Sequence, residues 1–159
     1  MKITTISNPC QTILITTRYK GKDNVMTADW HMPLSFNPMM YAISIGKTRY
    51  TLELIKKSRV FVINFMSCRF KDEILYCGTH SGREVDKFLK ANLEKEEAET
   101  IDAPRIKHSL GYLECKVIKE IETGDHVLFI AEVKKALLKE KGKRLFHLFG
   151  DRFTTTEEF

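Results

Sequence analysis

The sequence predicts a mainly β protein, a barrel or sandwich that carries a few short helices. Three observations favour this fold class. At least six segments have strand composition, one mixed and partly helical stretch interrupts them, and regular alternation of strands with helices is missing. The length of 159 residues fits a single domain over positions 1–159.

The composition of the chain limits the kinds of partner and site that we expect. Hydrophobic residues make up 43% and charged residues 30% of the chain, and the net charge of +5 favours anionic partners such as phosphate groups. No run approaches the ~20 apolar residues of a membrane helix, and the N-terminus lacks the apolar stretch of a signal peptide. The four cysteines form no C-x-x-C pair. We therefore expect a cytoplasmic protein with free thiols, no metal site and no membrane contact.

The first third of the chain reads as strands. Gln11–Thr17 is rich in β-branched residues, and Val25–Trp30 returns after the polar turn Tyr19–Asn24, which predicts a hairpin. Ser35–Pro38 has the composition of a loop, and Tyr41–Ile45 reads as the next strand.

The middle of the chain is mixed. A short helix is predicted from Thr48 to about Lys57, followed by the buried strand Val60–Phe65 and by a helix over Asp72–Cys77. The spacing of Val85, Phe88 and Leu89 predicts a further helix face. Residues 92–102 are polar and acidic, which indicates an excursion over the surface.

The last third is β again. Leu113–Val117 alternates apolar and polar residues, and Gly124–His126 is a turn that leads into the strand Val127–Val133. That strand has a second apolar face, formed by Leu128 and Ile130, which requires cover from a helix or another subunit. A loop over 140–143 and an apolar segment over 145–150 end the pattern.

One segment has the residues that a phosphate group requires. Ser44–Thr51 runs from a strand end through Gly46 to a helix start, and it carries two cations and three aliphatic hydroxyls. Hydroxyls, cations and the N–H groups of a helix N-terminus all bind phosphate. An ordinary turn in which Thr48 or Thr51 caps the helix explains the same pattern equally well.

Three other segments have both a functional and a structural interpretation. Small residues within Asn24–Trp30 allow a flat ring to approach the backbone, although a plain hairpin strand explains them too. Ser81–Phe88 is either a phosphate or ring contact or a solvated loop. His126 follows a turn, and a lone histidine is usually structural.

The order of these segments resembles the flavin reductase-like family, the FMN-binding split-barrel flavoproteins that include flavoredoxins and archaeal ferric reductases. The resemblance covers about Pro9 to Phe153. The matching pieces are Asn24–Trp30, Ser35–Pro38, Ser44–Thr51, Phe61–Phe65, Ser81–Phe88 and Gly124–Val133.

The resemblance implies a six-stranded Greek-key split barrel that forms a homodimer, with FMN near the subunit interface. It places His126 near the nicotinamide or acceptor side, where this candidate catalytic residue relays a proton. The ring and ribityl contacts that it implies are Asn24, Met26, Thr27, Ala28, Asp29 and Trp30. The phosphate contacts are Ser44, Ile45, Gly46, Lys47, Arg49, Tyr50 and Thr51, and the residues that close over the flavin are Ser81, Gly82, Lys87 and Phe88.

Two positions depart from the family pattern. Asn37–Pro38 stands where many relatives have two prolines, which matters little. Asp29 places an acid near the flavin edge, where small or neutral residues are common, and a carboxylate there would lower the reduction potential of the flavin.

The implied activity passes electrons from NAD(P)H, or another hydride donor, through FMN to flavin, ferric iron or a redox partner. A non-enzymatic FMN electron carrier of the flavoredoxin type is the alternative. Binding of single-stranded nucleic acid is disfavoured, because most aromatic side chains fall in apolar strands that read as core.

Overall fold

The computed structural model describes residues 2–157 and confirms a mainly β protein with a few short helices. Its strands are β1 (Cys10–Gln11), β2 (Ile13–Tyr19), β3 (Lys22–Ala28), β4 (His31–Phe36), β5 (Met39–Gly46), β6 (Val60–Phe65), β7 (Lys95–Glu97), β8 (Pro104–Ile106), β9 (Gly111–Thr123), β10 (His126–Leu138), β11 (Leu145–Phe149) and β12 (Arg152–Thr155). Its helices are α1 (Thr4–Ser7), α2 (Tyr50–Ser58), α3 (Lys71–Thr79) and α4 (Lys87–Lys90), with a 3₁₀ turn at Cys68–Phe70.

The main sheet is antiparallel and has the strand order β3-β2-β6-β9-β10-β5-β4. A three-stranded sheet β1-β11-β12 and the hairpin β7-β8 complete the described part. One core cluster is formed by inward side chains such as Ile15, Ile43, Phe61 and Phe129. A second cluster lies where α3 and α4 pack against β2 and β3, so the two helices border the edge strand β3.

The expected number of six strands is wrong for the main sheet, which has seven. The additional strand is β4. It contains Pro33, and a proline in a sequence segment is evidence against a central strand. β4 is an edge strand, where a missing N–H costs no ladder hydrogen bond. The loop predicted over Ser35–Pro38 is shorter, because β4 extends to Phe36 and pairs with Met39 across the turn.

Two predictions in the middle of the chain need correction. Val85, Phe88 and Leu89 do not form one helix face, because Val85 lies before the helix. The helix α4 begins at Lys87, and Asp86 caps it by accepting a hydrogen bond from the Leu89 N–H. Phe88 is buried and Leu89 is 75% exposed. The excursion over 92–102 contains β7, and the short hairpin that it forms with β8 is anchored by the buried carboxylate of Glu114.

Two turns set the positions that matter for the site. Lys20 and Gly21 have φ values of 50° and 74°, the left-handed pair of a tight hairpin turn, and this turn sets the register that pairs Asn24 with Thr17. After β5 ends at Gly46, the Arg49 N–H donates to the Gly46 carbonyl, and α2 begins at Tyr50 rather than at the expected Thr48.

Candidate functional site

The Asn24 hairpin and the Gly46–Thr51 turn meet directly. The Asn24 Nδ2 donates a hydrogen bond of 2.7 Å to the Thr51 Oγ1, and both side chains are buried. A Cβ added at Gly82 would lie 2.0 Å from the Asn24 Oδ1 and 3.2 Å from the Tyr50 ring. Only glycine allows the loop before α4 to close on this junction. Three separate segments of the chain therefore form one site.

A cavity of about 310 Å³ opens beside this junction, along the edge strand β3. It lies between the start of α2 and the end of α3, and its wall is rich in hydroxyls and cations. The wall includes Met26, Thr27, Thr48, Arg49, Ser81 and Lys87. This donor set fits an elongated ligand that carries a phosphate group.

Basic side chains surround the ring of Tyr50 at the rim of the cavity. The Lys22 ammonium lies 4.8 Å and the Arg83 guanidinium 5.1 Å from the ring centroid. Arg83 also donates to the Thr48 carbonyl at 3.3 Å and forms an ion pair with Glu53. These contacts hold the loop before α4 over the first turn of α2.

A second cavity, of about 230 Å³, shares Thr27, Arg49, Gly78 and Thr79 with the first. Its far wall contains Asp29, whose Oδ1 accepts a 2.8 Å hydrogen bond from Thr12 and whose Oδ2 lies 2.7 Å from the His147 Nδ1. The carboxylate of Asp29 thus lies in the wall of the second cavity and is paired with an imidazole from β11.

Trp30, Gly46 and His126 form a separate group. The Trp30 and His126 rings stack with their centroids 4.5 Å apart, and His126 pairs with Gly46 across β5 and β10. The Asp125 carboxylate lies 2.7 Å from the His126 Nδ1. His126 borders the Gly46–Thr51 turn, but it lines neither cavity.

Some of the residues predicted to contact FMN have side chains or backbone groups that are engaged away from the two cavities. The side chains of Ala28 and Ile45 lie in the first core cluster and that of Phe88 in the second, so any contact with a ligand must use their backbone. Lys47 forms an ion pair with Glu122 on β9 and does not line the cavity. The Ser44 N–H donates to the Trp30 carbonyl at 2.9 Å.

Sequence reasoning missed part of the wall. The C-terminal end of α3 contributes Cys77, Gly78, Thr79 and His80. Gly78 directly follows the helix predicted over Asp72–Cys77, and a Cβ there would lie 3.3 Å from Thr27, which indicates a close helix–strand contact. No sequence feature pointed to His147, because its role depends on the pairing of β11 with β1.

The Flavin reductase like domain model matches residues 7–156. The chain belongs to the flavin reductase-like family. A protein of Archaeoglobus fulgidus is 42% identical over 125 residues, which cover 79% of this chain and 70% of that protein.

Solved structures agree with this assignment to the flavin reductase-like family. Flavoredoxin from Methanosarcina acetivorans superposes with a TM-score of 0.88 at 27% identity, covering 100% of this chain and 91% of that one. An FMN-binding protein from Thermus thermophilus with bound 1-cyclohex-2-enone gives 0.87 at 25% identity, covering 96% and 90%. The chain thus has the fold of FMN-binding flavin reductase-like proteins. Within residues 2–157, no helix is both long and apolar enough to cross a membrane.

Proposed function

We propose that this protein binds FMN in the cavity beside β3 and transfers electrons from NAD(P)H, or another hydride donor, to flavin, ferric iron or a redox partner. The observation that carries the proposal is the junction of Asn24, Thr51 and Gly82, which brings the Gly46–Thr51 turn, proposed to hold the phosphate, against β3, proposed to line the ring. Its membership of the flavin reductase-like family supports the same assignment.

The start of α2 fits the phosphate group. The first N–H groups of a helix have no partner within the helix, and Tyr50 and Thr51 bring theirs to the cavity wall. Arg49 lines both cavities and takes part in none of the ion pairs among residues 2–157. We therefore assign the main cationic contact to Arg49, because Lys47 is engaged by Glu122.

The edge strand β3 fits the isoalloxazine ring. Met26 and Thr27 supply an apolar and a small side chain along the cavity, and Gly78 and Gly82 let two backbone segments approach closely. When bound, FMN accepts two electrons and a proton as a hydride and releases the electrons to an acceptor. The chain contributes the position of the ring, its electrostatic surroundings and the exclusion of water.

We further propose a homodimer with FMN near the interface. Residues directly opposite each other in a sheet share a face, so Met32, Ala42 and Ile130 lie side by side across β4, β5 and β10. Trp30, Met32, Leu34, Phe36 and Met39 are exposed on and around β4, and Phe36 is 97% exposed. An exposed apolar face on an edge strand indicates a protein interface. Because Trp30 stacks on His126 next to Gly46, this face borders the proposed phosphate site.

Anaerobic stopped-flow mixing with NADH and with NADPH separates the enzyme from the electron carrier. We expect rapid loss of flavin absorbance in the holoprotein, without an added redox partner. Absent bleaching with both donors, together with rapid electron exchange with a redox protein, would instead establish the carrier. Separately from this experiment, we propose that the chain is a single domain and that it works in the cytoplasm.

His126 is tested separately, as a residue that relays a proton near the donor or acceptor. His126→Ala should bind FMN within about twofold of the wild type and lose most of its turnover. Unchanged turnover of the FMN-loaded variant would remove His126 from the mechanism and leave it a stacking partner of Trp30.

A further inference from the structure

The net positive charge of the chain is concentrated in two segments, 67–71 and 139–144. Together they carry six cations and one carboxylate, and this excess equals the net charge of +5 of the whole chain. The remaining residues are therefore neutral overall. The six cations are Arg69, Lys71, Lys139, Lys141, Lys143 and Arg144. We call these two segments the basic corner.

Main-chain and packing contacts hold the basic corner together. The Cys68 N–H donates a hydrogen bond of 2.8 Å to the Lys143 carbonyl, which joins the two segments. A Cβ added at Gly142 would lie 2.9 Å from a methyl carbon of Leu110, so the second segment is packed against the rest of the fold. The cations are therefore presented on an ordered surface and not on a free arm.

The exposed lysines of the basic corner lack carboxylate partners. None of the ion pairs among residues 2–157 includes Lys71, Lys141 or Lys143, and all three are exposed. Arg69 lies 3.9 Å from Glu140, at the limit of an ion pair. Like charges in one place repel each other and attract anions. A solvated surface accounts for single lysines, but it does not require that the whole excess of charge be collected in one place.

The basic corner is one short helix away from the proposed flavin site. The helix α3 begins in the corner at Lys71, and its last turn lines the larger cavity at Thr79. A helix of nine residues is roughly 13 Å long. The strand β11 begins directly after the corner and brings His147 to the second cavity. A protein seated on the corner would therefore lie close to both cavities.

We propose that the basic corner is the docking surface for an acidic redox protein that exchanges electrons with the flavin. This inference rests on the proposed function and adds the charge and the docking place of the redox partner. Complementary charge steers two proteins into contact and raises their association rate. Two oxidised one-electron partners each take one electron from the reduced flavin, and the protons of the flavin pass to water.

The basic corner fits a protein better than a nucleic acid. Single-stranded nucleic acids stack their bases on free aromatic faces that lie among cations. Phe70 is the aromatic residue of the corner, and its ring is already in contact with two side chains. The Arg69 guanidinium lies 5.2 Å from its centroid, and the His108 ring lies nearly parallel to it at 6.4 Å.

Anaerobic stopped-flow mixing of the reduced holoprotein with two haem proteins tests the proposal. Cytochrome b5 is the acidic probe, and cytochrome c is the basic probe of the same class. We expect electron transfer to cytochrome b5 to slow at least about tenfold as the ionic strength rises from about 0.01 to about 0.3 M. The rate with cytochrome c should not fall over this range.

Two double variants locate the docking surface. Lys141→Glu/Lys143→Glu should slow electron transfer to cytochrome b5 at least about tenfold at low ionic strength and remove most of its salt dependence. Lys20→Glu/Lys57→Glu is the matched control, because both lysines are exposed, lie over the Tyr19 ring and give the same change in net charge. This control should stay within about threefold of the wild type.

Carbodiimide cross-linking of the flavin-free protein to cytochrome b5 gives a readout that does not depend on FMN. This reagent joins lysine amines to carboxylates, and we expect Lys141 and Lys143 to dominate the cross-linked peptides. Cross-links spread evenly over the surface overturn the proposal, and so does an equal loss of rate in both double variants.

Two further outcomes are distinguishable. Binding of single-stranded DNA or phosphatidylserine vesicles that is lost in Lys141→Glu/Lys143→Glu, with unchanged electron transfer to cytochrome b5, would overturn the proposal and assign the corner to that ligand. Cross-links at the corner in a protein that binds no FMN would support the docking surface, and the proposed function itself would fail.

Discussion

The contact between Gly82 and Asn24 offers a sharp test of the site. Gly82→Ala places a Cβ 2.0 Å from the Asn24 Oδ1, more than 1 Å inside a normal contact, and 3.2 Å from the Tyr50 ring. The Asn24 amide must rotate or the loop must withdraw. Either movement disturbs the buried 2.7 Å hydrogen bond between Asn24 and Thr51.

The magnitude follows from these two contributions. Overpacking of a close-packed site costs about 1–3 kcal/mol, and a lost hydrogen bond costs about 1 kcal/mol. If the loop withdraws, most of this cost appears as weaker binding, and 1.4 kcal/mol corresponds to tenfold. We therefore expect Gly82→Ala to weaken FMN binding by roughly ten- to several-hundredfold.

Quenching of FMN fluorescence at equilibrium measures this loss, and urea unfolding without flavin measures stability. Gly124→Ala is the matched control, because Gly124 has a φ of 64° and, apart from its chain neighbours, none of residues 2–157 places an atom within 4 Å of the added Cβ. The control should lose about 1 kcal/mol of stability and keep its FMN affinity. Binding by Gly82→Ala within twofold of the wild type would refute the reasoning.

Three further predictions follow from the electrostatics and the exposed face. The pKa of Lys87 is lowered from 10.5 to about 8, so the unfolded chain binds more protons between these values. The free energy of unfolding of the flavin-free wild type, measured by urea titration, should therefore rise with pH in that window. The rise relative to Lys87→Met should reach up to about 3 kcal/mol. A difference between the two proteins that does not depend on pH contradicts this prediction. Burial lowers the pKa of His31 below its usual 6.5, so the stabilising contribution of neutral His31 is lost as pH falls from 6.5 through its pKa in the folded protein. Over this pH range the Tm of the wild type should drop more steeply than that of His31→Gln. Parallel plots of Tm against pH for the two proteins would exclude the effect. Met32→Asp should weaken the dimer at least about thirtyfold in sedimentation experiments, whereas Ile118→Asp, equally exposed at 53%, should not; equal effects would place the interface elsewhere.

The sequence was most informative where local chemistry determines local structure. The segment Val60–Phe65 was predicted with the bounds that the structure has, because a continuous apolar run buried on both faces has few alternatives. The hairpin before Asn24 followed from its Gly-containing turn. The proximity of Asn24 to Thr51 came from the family resemblance rather than from spacing.

The sequence was least informative where tertiary packing decides. β4 was not predicted, because its proline, Pro33, is tolerated only at a sheet edge, and edges are not visible in a single sequence. The pairing of Asp29 with His147 joins residues 118 positions apart. The engagement of Lys47 by Glu122 depends on how β9 lies beside the turn, and this moved the main cationic contact to Arg49.

The absorbance spectrum of the purified protein, followed by analysis of the flavin released on denaturation, tests the central claim most directly. We expect a yellow protein, or one that becomes yellow on adding FMN, that releases about one FMN per chain. A colourless protein that neither retains nor quenches added FMN would contradict the assignment of the cavity beside β3 to a flavin.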